Sequence, residues 1–484
     1  MLFNSIAFFL FFPAVTGLYF LLAHRWRWPL LLAASCFFYM YFVPQYILIL
    51  GFTIVVDYFA GMLIEGAQGA RRKLFLGWSI AANVGVLAIF KYYNFLNGNL
   101  ASLLQGLGWR DPLPYLSILL PIGLSFHTFQ AMSYTIEVYR GRQKAERHFG
   151  IYALYVMFYP QLVAGPIERP QNLLHQFREQ HDFDYERVVE GLKQMAWGLF
   201  KKVVIADRLA VFVDSVYDHP ASGNGASFVL ATVFFAFQIF CDFSGYSDMA
   251  IGAARVMGFQ LMQNFDRPYH ARSIGEFWRR WHISLSSWFK DYLYIPLGGS
   301  RVTIPRWYLN LFIVFLVSGL WHGANWTFII WGALHGFYMV FSLVTKGARE
   351  RLRGLLRLPE LPWFQRFAAF TLVSFAWVFF RAKDASTALY MIKRAITDVP
   401  LACGLLLRHQ SVQSLLPSQT KGIAVCILLI LLLETVHAAQ NHVCLRAYVK
   451  ARPPLVRWAI YYAGLAALFL LGVFQDRQFI YFQF

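Results

Sequence analysis

Charged residues are scarce in this sequence, and their scarcity excludes a soluble globular protein. Asp, Glu, Lys and Arg make up 14% of the 484 residues, whereas the hydrophobic set makes up 58%. An ordinary soluble domain contains about 25% charged residues. Several apolar runs approach the roughly 20 residues that a helix needs to cross a membrane. Because backbone groups in lipid must be hydrogen-bonded within the segment, these runs predict an all-α, multi-pass membrane protein.

Motifs for several kinds of chemistry are absent from the sequence. The five cysteines show no C-x-x-C pair, so neither a disulfide framework nor a thiolate metal site is expected. There is no G-x-x-x-x-G-K-[ST] phosphate loop and no G-x-S-x-G nucleophile elbow, which argues against an ATP-driven pump and a serine hydrolase. His322 and His335 are thirteen positions apart and H-E-x-x-H does not occur, so no metal is predicted.

Acidic residues are outnumbered by basic ones, which gives a formal net charge of +18. Lys and Arg lie in short connections between apolar runs and form no single basic domain, so nucleic acid is not expected as a partner. Basic cytoplasmic loops are normal for a multi-pass membrane protein, and they also suit membrane lipid headgroups. If each run crosses once, the clusters at 24–27, 71–73 and 140–147 are cytoplasmic and the N-terminus starts outside.

The apolar runs predict about eleven transmembrane or re-entrant helices in one integral domain that covers residues 1–484. The run 2–23 lacks a preceding charged region and a small-residue cleavage site, so it is predicted to be a retained span. The run 29–64 is too long for one crossing and is predicted to break at Pro44.

The remaining runs include one that is too short for a simple span and one that carries charged residues. Residues 150–165 suit a tilted or re-entrant element, and residues 195–216 suit a charged helix at the interface or packed inside protein. The remaining predicted elements are apolar runs at 74–96, 115–139, 228–240, 308–320, 326–344, 367–380, 422–434 and 458–474, and an amphipathic helix around 274–292.

His322 lies within an apolar run, in the segment Trp321-His322-Gly323. An ionisable residue at membrane depth is functional by default, although it can also be a structural side chain that hydrogen-bonds a neighbouring helix. Burial disfavours imidazolium, so a deep His322 is expected to be neutral and able to accept a proton from a hydroxyl. Gly323 permits the close approach of a substrate or a helix. The indole of Trp321 provides an apolar surface beside the imidazole and one hydrogen-bond donor. Polar residues near enough in sequence to orient the imidazole are Ser318, Asn325 and His335.

A second histidine, His282, follows a basic and aromatic stretch that is typical of a membrane interface. We predict that it handles protons near the membrane face, although an interfacial histidine can also be only an anchor. Arg279, Arg280 and Lys290 are predicted to bind the phosphates of a nucleotide-bearing acyl donor, because guanidinium groups match phosphate geometry. Lipid headgroups present the same charge and are the alternative ligand.

Three further polar residues lie in or beside apolar runs. Asp242 and Asp248 form either a solvated helix end or part of a lined cavity. His127 has only Ser125 and Gln130 as nearby polar residues, and it is interpreted as a core histidine with a hydrogen-bond partner.

Short stretches distributed over nearly the whole chain resemble the membrane-bound O-acyltransferase family, and within it the bacterial branch that O-acetylates alginate and related polysaccharides. These stretches are 120–126 (LPIGLSF), 162–166 (LVAGP), 242–252 (DFSGYSDMAIG), 276–286 (EFWRRWHISLS), 292–299 (YLYIPLGG), 319–325 (GLWHGAN) and 481–484 (YFQF).

The resemblance implies a many-helix fold around a central funnel, an acyl donor that enters from the cytoplasm, and an essential intramembrane histidine that falls on His322. The family's second polar position, His or Asn, falls on His282. His127 stands where the alginate branch has an aromatic residue and receives no role. Related proteins work with periplasmic acetyltransferase partners on secreted polysaccharides.

The resulting hypothesis is an inner-membrane O-acetyltransferase that delivers acetyl from cytoplasmic acetyl-CoA to an alginate-like exopolysaccharide, directly or through a partner protein. Two alternatives stay open at this point. The same chemistry could serve peptidoglycan or cellulose, or the protein could be a non-catalytic transporter of a polysaccharide or lipid-linked intermediate.

Overall fold

The computed structural model describes residues 1–109, 113–116, 121–357, 359–407, 420–474 and 479–480. The regular structure of these residues is entirely helical, which confirms the predicted all-α class. Eight helices in this part of the chain are long and apolar enough to cross a membrane. The predicted number was about eleven because it also counted shorter and re-entrant elements. Leu120 and the stretch 481–484 lie outside the described residues.

The described residues form two compact units. The first unit comprises Met1–Gly198 and Tyr246–Asn264, and the second comprises Leu199–Gly245 and Phe265–Ile480. The prediction of a single integral domain stays a prediction. Helices α1 to α10 are Ile6–Leu21, Arg27–Met40, Tyr46–Gly66, Ala70–Leu87, Tyr93–Gly106, Leu124–Tyr139, Phe149–Met157, Tyr159–Leu162, Pro170–Leu173 and Tyr185–Leu199. Helices α11 to α22 are Asp207–Tyr217, Gly225–Met257, Ile274–Arg280, Ile283–Phe289, Ile304–His322, Trp326–Val344, Lys346–Leu355, Pro362–Arg381, Ala385–Leu407, Thr420–Gln440, Leu445–Lys450 and Pro454–Leu471.

Helix breaks in the first unit follow proline and glycine. The predicted break at Pro44 is confirmed, because α2 ends at Met40 and α3 begins at Tyr46. In the predicted run 115–139, helix α6 begins at Leu124, directly after Gly123, which adopts a left-handed φ of 76°. Residues 150–165 form the short helices α7 and α8, whose residues are almost all buried. This segment is therefore not a simple span, in agreement with the prediction.

In the second unit, the structure excludes one of the two alternatives for Asp242 and contradicts one predicted helix. Helix α12 runs over 33 residues and continues through Asp242, so this carboxylate does not lie at a solvated helix end. The predicted amphipathic helix over 274–292 is also wrong as one element. Helix α13 ends at Arg280 and α14 begins at Ile283, because His282 between them adopts a left-handed φ of 43°.

Small residues let α15 and α16 pack closely in the second unit. A Cβ atom on Gly332 would lie 2.4 Å from the carbonyl oxygen of Phe315 and 3.0 Å from Cα of Gly319. Close backbone approach through glycine is a common way to pack helices in membranes. This packing fixes the C-terminal end of α15, where His322 is the last helical residue.

We expect Gly332→Ala to destabilise the protein by about 1–3 kcal/mol, because the added methyl group overpacks a rigid backbone contact. The matched control is Gly464→Ala in α22, where a Cβ atom would meet nothing within 4 Å. That change should leave stability equal or raise it slightly, since alanine favours helices over glycine by about 0.5–1 kcal/mol. Melting of the purified proteins in detergent measures both effects. Equal melting temperatures for the two variants would contradict the packing argument.

Candidate active site

His282 occupies an unusual backbone position in the second unit. Its φ of 43° and ψ of 55° lie in the left-handed region, and its side chain is buried, with 1% of the residue exposed. The ring of Phe243 packs nearly perpendicular to the imidazole at a centroid distance of 4.6 Å. Left-handed conformations of residues other than glycine are sparse and cluster at functional sites. The observed conformation therefore marks His282 as a candidate site residue.

His322 is the last residue of α15 and is also buried, with 6% exposed. Trp331 packs against its ring at a centroid distance of 5.0 Å, and Phe380 does so at 5.5 Å. The neighbouring Gly323 leaves room for an aromatic ring, because a Cβ atom there would lie 2.1 Å from Phe328. Gly323 thus allows the side chain of Phe328 to pack closely against the backbone next to His322.

The fold brings His282 and His322 into electrostatic contact, although they are far apart in the sequence. Burial lowers the pKa of His282 well below its ordinary value, and the nearby His322 lowers that pKa further. A charged imidazole here would lose its hydration, which favours the neutral form. His282 is therefore neutral at neutral pH.

Three buried nitrogen atoms near His322 have no hydrogen-bond partner among the described residues: Nε1 of Trp331, Nε1 of Trp377 and Nε2 of His335. All three residues are 0% exposed. Trp331 links the group, because its ring lies 5.7 Å from Trp377 and 5.0 Å from His335. Leaving a buried donor without an acceptor costs about 1–3 kcal/mol. The group therefore provides binding capacity for an acceptor such as a carbonyl oxygen.

The tautomer of His335 follows from its contact with Trp278. Nε1 of Trp278 donates to Nδ1 of His335 at 3.2 Å, so Nδ1 is the acceptor of the neutral ring. Nε2 then carries the proton and is a donor. Sequence reasoning had treated His335 only as a residue that orients His322. The spacing of Trp331 and His335, one helical turn apart, is the signal that could have grouped them.

The side chain of Asn325 holds the start of a helix. The side-chain oxygen of Asn325 accepts from the backbone N–H of Thr327 at 3.0 Å and caps α16. Its side-chain nitrogen donates to the carbonyl oxygen of Lys383 at 3.0 Å. Both ends of this amide are thus used to hold the start of α16. Ser318 is buried in α15.

The three cations predicted to bind a donor differ in their surroundings. Arg279 and Lys290 are exposed at the ends of α13 and α14. Arg280 is half-buried and forms an ion pair with Glu276 at 2.7 Å. The cations that remain accessible on this surface are therefore Arg279 and Lys290.

The two acidic candidates have charged or polar partners. Lys202 Nζ contacts carboxylate oxygens of Asp242 at 2.5 Å and Asp207 at 2.9 Å. Burial alone would lower the pKa of Lys202, but the two carboxylates outweigh burial and raise it. The backbone N–H of Ile480 also donates to Asp242 at 2.8 Å. Asp242 thus holds a buried charge cluster together.

Asp248 and His127 belong to the first unit. Nε2 of Gln194 donates to Asp248 at 3.0 Å. Oγ1 of Thr53 and Nε2 of His127 are 2.5 Å apart, and His127 is 2% exposed. The interpretation of His127 as a core histidine with a hydrogen-bond partner is confirmed.

Comparison with known proteins identifies the family of the chain. Residues 142–380 match the family described as MBOAT, membrane-bound O-acyltransferase family. The chain is 42% identical over 399 residues to a Pseudomonas aeruginosa protein named probable alginate O-acetylase, covering 80% of this chain and 73% of that protein. It is 38% identical over 427 residues to the peptidoglycan O-acetyltransferase of Helicobacter pylori, covering 81% and 79%.

A more distant similarity links the chain to the teichoic acid D-alanyltransferase of Streptococcus thermophilus, with 29% identity over 277 residues that cover 52% of this chain and 66% of that protein. Relatives that share about two fifths of their residues over most of both lengths, together with helices that can cross a membrane, establish the assignment. The chain belongs to the membrane-bound O-acyltransferase family and is a multi-pass membrane acyltransferase.

Proposed function

We propose that this protein transfers acetyl from acetyl-CoA to a secreted polysaccharide, with His322 as the general base and His282 as an assisting residue. The observation that carries the proposal is the electrostatic contact of two buried histidines in one unit. The names of two relatives, an alginate O-acetylase and a peptidoglycan O-acetyltransferase, support acetyl as the group and a glycan as the acceptor.

The proposed reaction uses His322 as a proton carrier. Its neutral imidazole takes the proton of an acceptor hydroxyl while the oxygen attacks the thioester carbonyl carbon. The carbon–sulfur bond then breaks, and the imidazolium returns the proton to the departing thiolate, so that an ester and a free thiol result. General acid–base catalysis of this kind contributes about 10²–10⁴-fold in rate.

The indole N–H of Trp331 is the proposed donor to the thioester carbonyl. The carbonyl oxygen gains negative charge in the transition state, and a fixed donor in a dry site stabilises that charge strongly. Trp331 fits this role because it is fully buried, packs on His322 and has no acceptor among the described residues. The same donor would be an unfavourable group in a purely structural core.

Arg279 and Lys290 are proposed to receive the phosphates of the donor. Both are exposed near the ends of the short helices that flank His282. Arg280 can join them only by sharing its charge with Glu276. The donor then enters from the cytoplasm and the acetyl group leaves towards the periplasm across the inner membrane.

The acceptor is proposed to be an alginate-like exopolysaccharide, reached directly or through a periplasmic acetyltransferase partner. Peptidoglycan is the second candidate acceptor, because the Helicobacter pylori relative matches over 79% of its length. Acetyl analysis of the polymer and of the cell wall from a deletion strain separates the two acceptors.

Replacing His322 by Ala should lower acetyl transfer by at least about 100-fold, because the base is lost. Purified protein receives labelled acetyl-CoA, alone and with a periplasmic fraction, and transfer of label is measured. The control is His219→Ala, an exposed histidine of the same unit. Secreted polymer without acetyl ester is the expected result in cells.

Two results would contradict this assignment. Intact acetylation with impaired export in the His322→Ala strain indicates a transporter. Label that never moves, even with wild-type protein and the periplasmic fraction, excludes acetyl-CoA as the donor.

Replacing Trp331 by Phe keeps an aromatic ring and removes its N–H donor. We expect kcat to fall by about 10²–10³-fold, as for the loss of one oxyanion donor, with little change in KM for acetyl-CoA. Trp458→Phe, which alters an exposed indole, is the matched control. A change in melting temperature without a change in kcat would assign Trp331 to packing alone.

The depressed pKa of His282 predicts how stability depends on pH. An unfolded histidine takes up a proton near pH 6.5, at about its ordinary pKa, whereas folded His282 resists protonation. Stability should therefore fall as the pH is lowered below about 6.5, because the unfolded state binds more protons. His282→Asn should flatten this fall, since asparagine does not titrate and tolerates left-handed φ. The melting temperatures of the wild type and of His282→Asn between pH 8 and pH 5 measure this dependence. Parallel curves of melting temperature against pH for the two proteins would refute the pKa shift.

A further inference from the structure

Three side chains of metal-binding type meet in the second unit, away from the residues assigned above. His270 ends a short 3-10 turn that precedes α13, whereas Glu434 and His437 lie one turn apart on α20. Nε2 of His270 is 3.0 Å from Oε2 of Glu434, and Nδ1 of His437 is 3.0 Å from Oε1. The three potential ligand atoms all lie within 4.8 Å of one another.

These spacings fit a transition-metal site. Ligand atoms bound to one zinc ion lie about 2.9–3.4 Å from one another, given bonds of about 2.0–2.1 Å. The spacing of His270 to Oε2 and that of His437 to Oε1 of Glu434 each fall in this range, and with one ligand atom per residue the three atoms lie within 4.8 Å of one another. Two imidazoles and a carboxylate suit zinc and similar borderline ions, whereas magnesium and calcium prefer oxygen ligands. A fourth position remains for water.

The three side chains of the cluster differ in burial. The side chains of His270 and His437 are 11% and 8% exposed, whereas that of Glu434 is 30% exposed. The ring of Phe240 packs on His437 at 5.5 Å and limits its movement. The imidazoles are thus held inside the protein, and the carboxylate is the most exposed of the three side chains.

A second layer of contacts can adjust to the metal. Nδ2 of Asn441 lies 3.1 Å from Nδ1 of His270, so Nε2 of this ring carries the proton and faces Glu434. When a metal binds Nε2 of His270, the proton of the ring moves to Nδ1. Rotation of the Asn441 side-chain amide by 180° then places its oxygen where it accepts a hydrogen bond from Nδ1. This rotation removes the contact of Arg267 with Asn441, but Arg267 keeps its ion pair with Asp266 at 2.8 Å.

Nearby positive charge limits which ions can bind. The ammonium group of Lys201 interacts with His437, and it donates a hydrogen bond to Ser244 at 2.8 Å. This charge opposes any cation at the cluster, so weak electrostatic attraction is insufficient. Only an ion that forms strong bonds to imidazole nitrogen, such as zinc, overcomes the repulsion.

We propose that His270, Glu434 and His437 form a binding site for a zinc-like divalent cation. The ion links α20 to the segment that leads into α13 and His282. The sequence predicted no metal because it contains no local metal-binding motif. His270 is far in sequence from the Glu434-x-x-His437 pair. The site is independent of the proposed acetyl transfer.

The test uses the full-length protein in detergent, stripped with a chelator and then titrated with zinc or cobalt(II) alone. Bound metal is counted by elemental analysis, and cobalt(II) absorption reports nitrogen and oxygen ligands. We expect one ion per chain, a higher melting temperature with zinc, and binding at least 10-fold weaker in His437→Ala and Glu434→Gln. His219→Ala, an exposed histidine in the same unit, should bind as the wild type does.

Absence of saturable binding to the stripped wild type overturns the proposal, and so does unchanged affinity in both ligand variants. If His437→Ala and Glu434→Gln do not fold, His270→Asn removes a ligand outside the helix and gives the same comparison. The cobalt(II) spectrum of the wild type decides independently of every variant, since a spectrum of hexa-aqua cobalt alone would refute the site.

Discussion

The proposed chemistry of this protein depends on two imidazoles that are buried close together. His282 and His322 are 1% and 6% exposed, and His322 adds to the burial that lowers the pKa of His282. In the proposed reaction the neutral imidazole of His322 accepts a proton from a hydroxyl. The imidazolium that forms is unfavourable next to the other ring. It therefore returns its proton readily to a leaving thiolate, which is the second half of acyl transfer.

The backbone around the pair shows how the fold maintains this arrangement. His322 ends α15, whose position against α16 is fixed by the contact of Gly319 with Gly332. His282 lies where the chain leaves α13 and enters α14 in a left-handed conformation. Both imidazoles are thus attached at helix ends, where the backbone can turn a side chain inwards. Residues on rigid elements hold a catalytic geometry better than residues on long loops.

The sequence predicted those features that depend on local pattern. The helical class followed from apolar runs, and the break near Pro44 followed from proline. The role of His322, which was inferred from its apolar surroundings, stays a prediction. Features that need contacts distant in sequence were not accessible. The pairing of Lys202 with Asp242 converts two apparently isolated charges into one buried cluster, and only the fold reveals it. The role proposed for the indole N–H of Trp331 could not be predicted from the sequence either. It rests on the observation that this N–H has no hydrogen-bond acceptor among the described residues.

In the segment 274–292 the local sequence pattern predicted the wrong element. One amphipathic helix was predicted, and the structure contains two short helices separated at His282. The composition of the segment fits one amphipathic helix, but His282 adopts a φ that no helix continues. The energetic cost of that conformation is tolerated because the turn places the imidazole in the interior. Local propensity thus gives way at a residue with a candidate chemical role.

Access to the pair constrains how the two substrates of the proposed reaction arrive. Arg279 and Lys290 are exposed, whereas His322 is almost completely covered. Acetyl-CoA fits this difference, because its charged nucleotide end is bulky and its thioester is carried on a long, thin arm. A polysaccharide hydroxyl has no comparable arm, since each sugar ring is wider than the small exposed area at His322. Under the proposed function, this asymmetry favours an acceptor group that a partner protein presents on a flexible side chain over direct entry of the polymer.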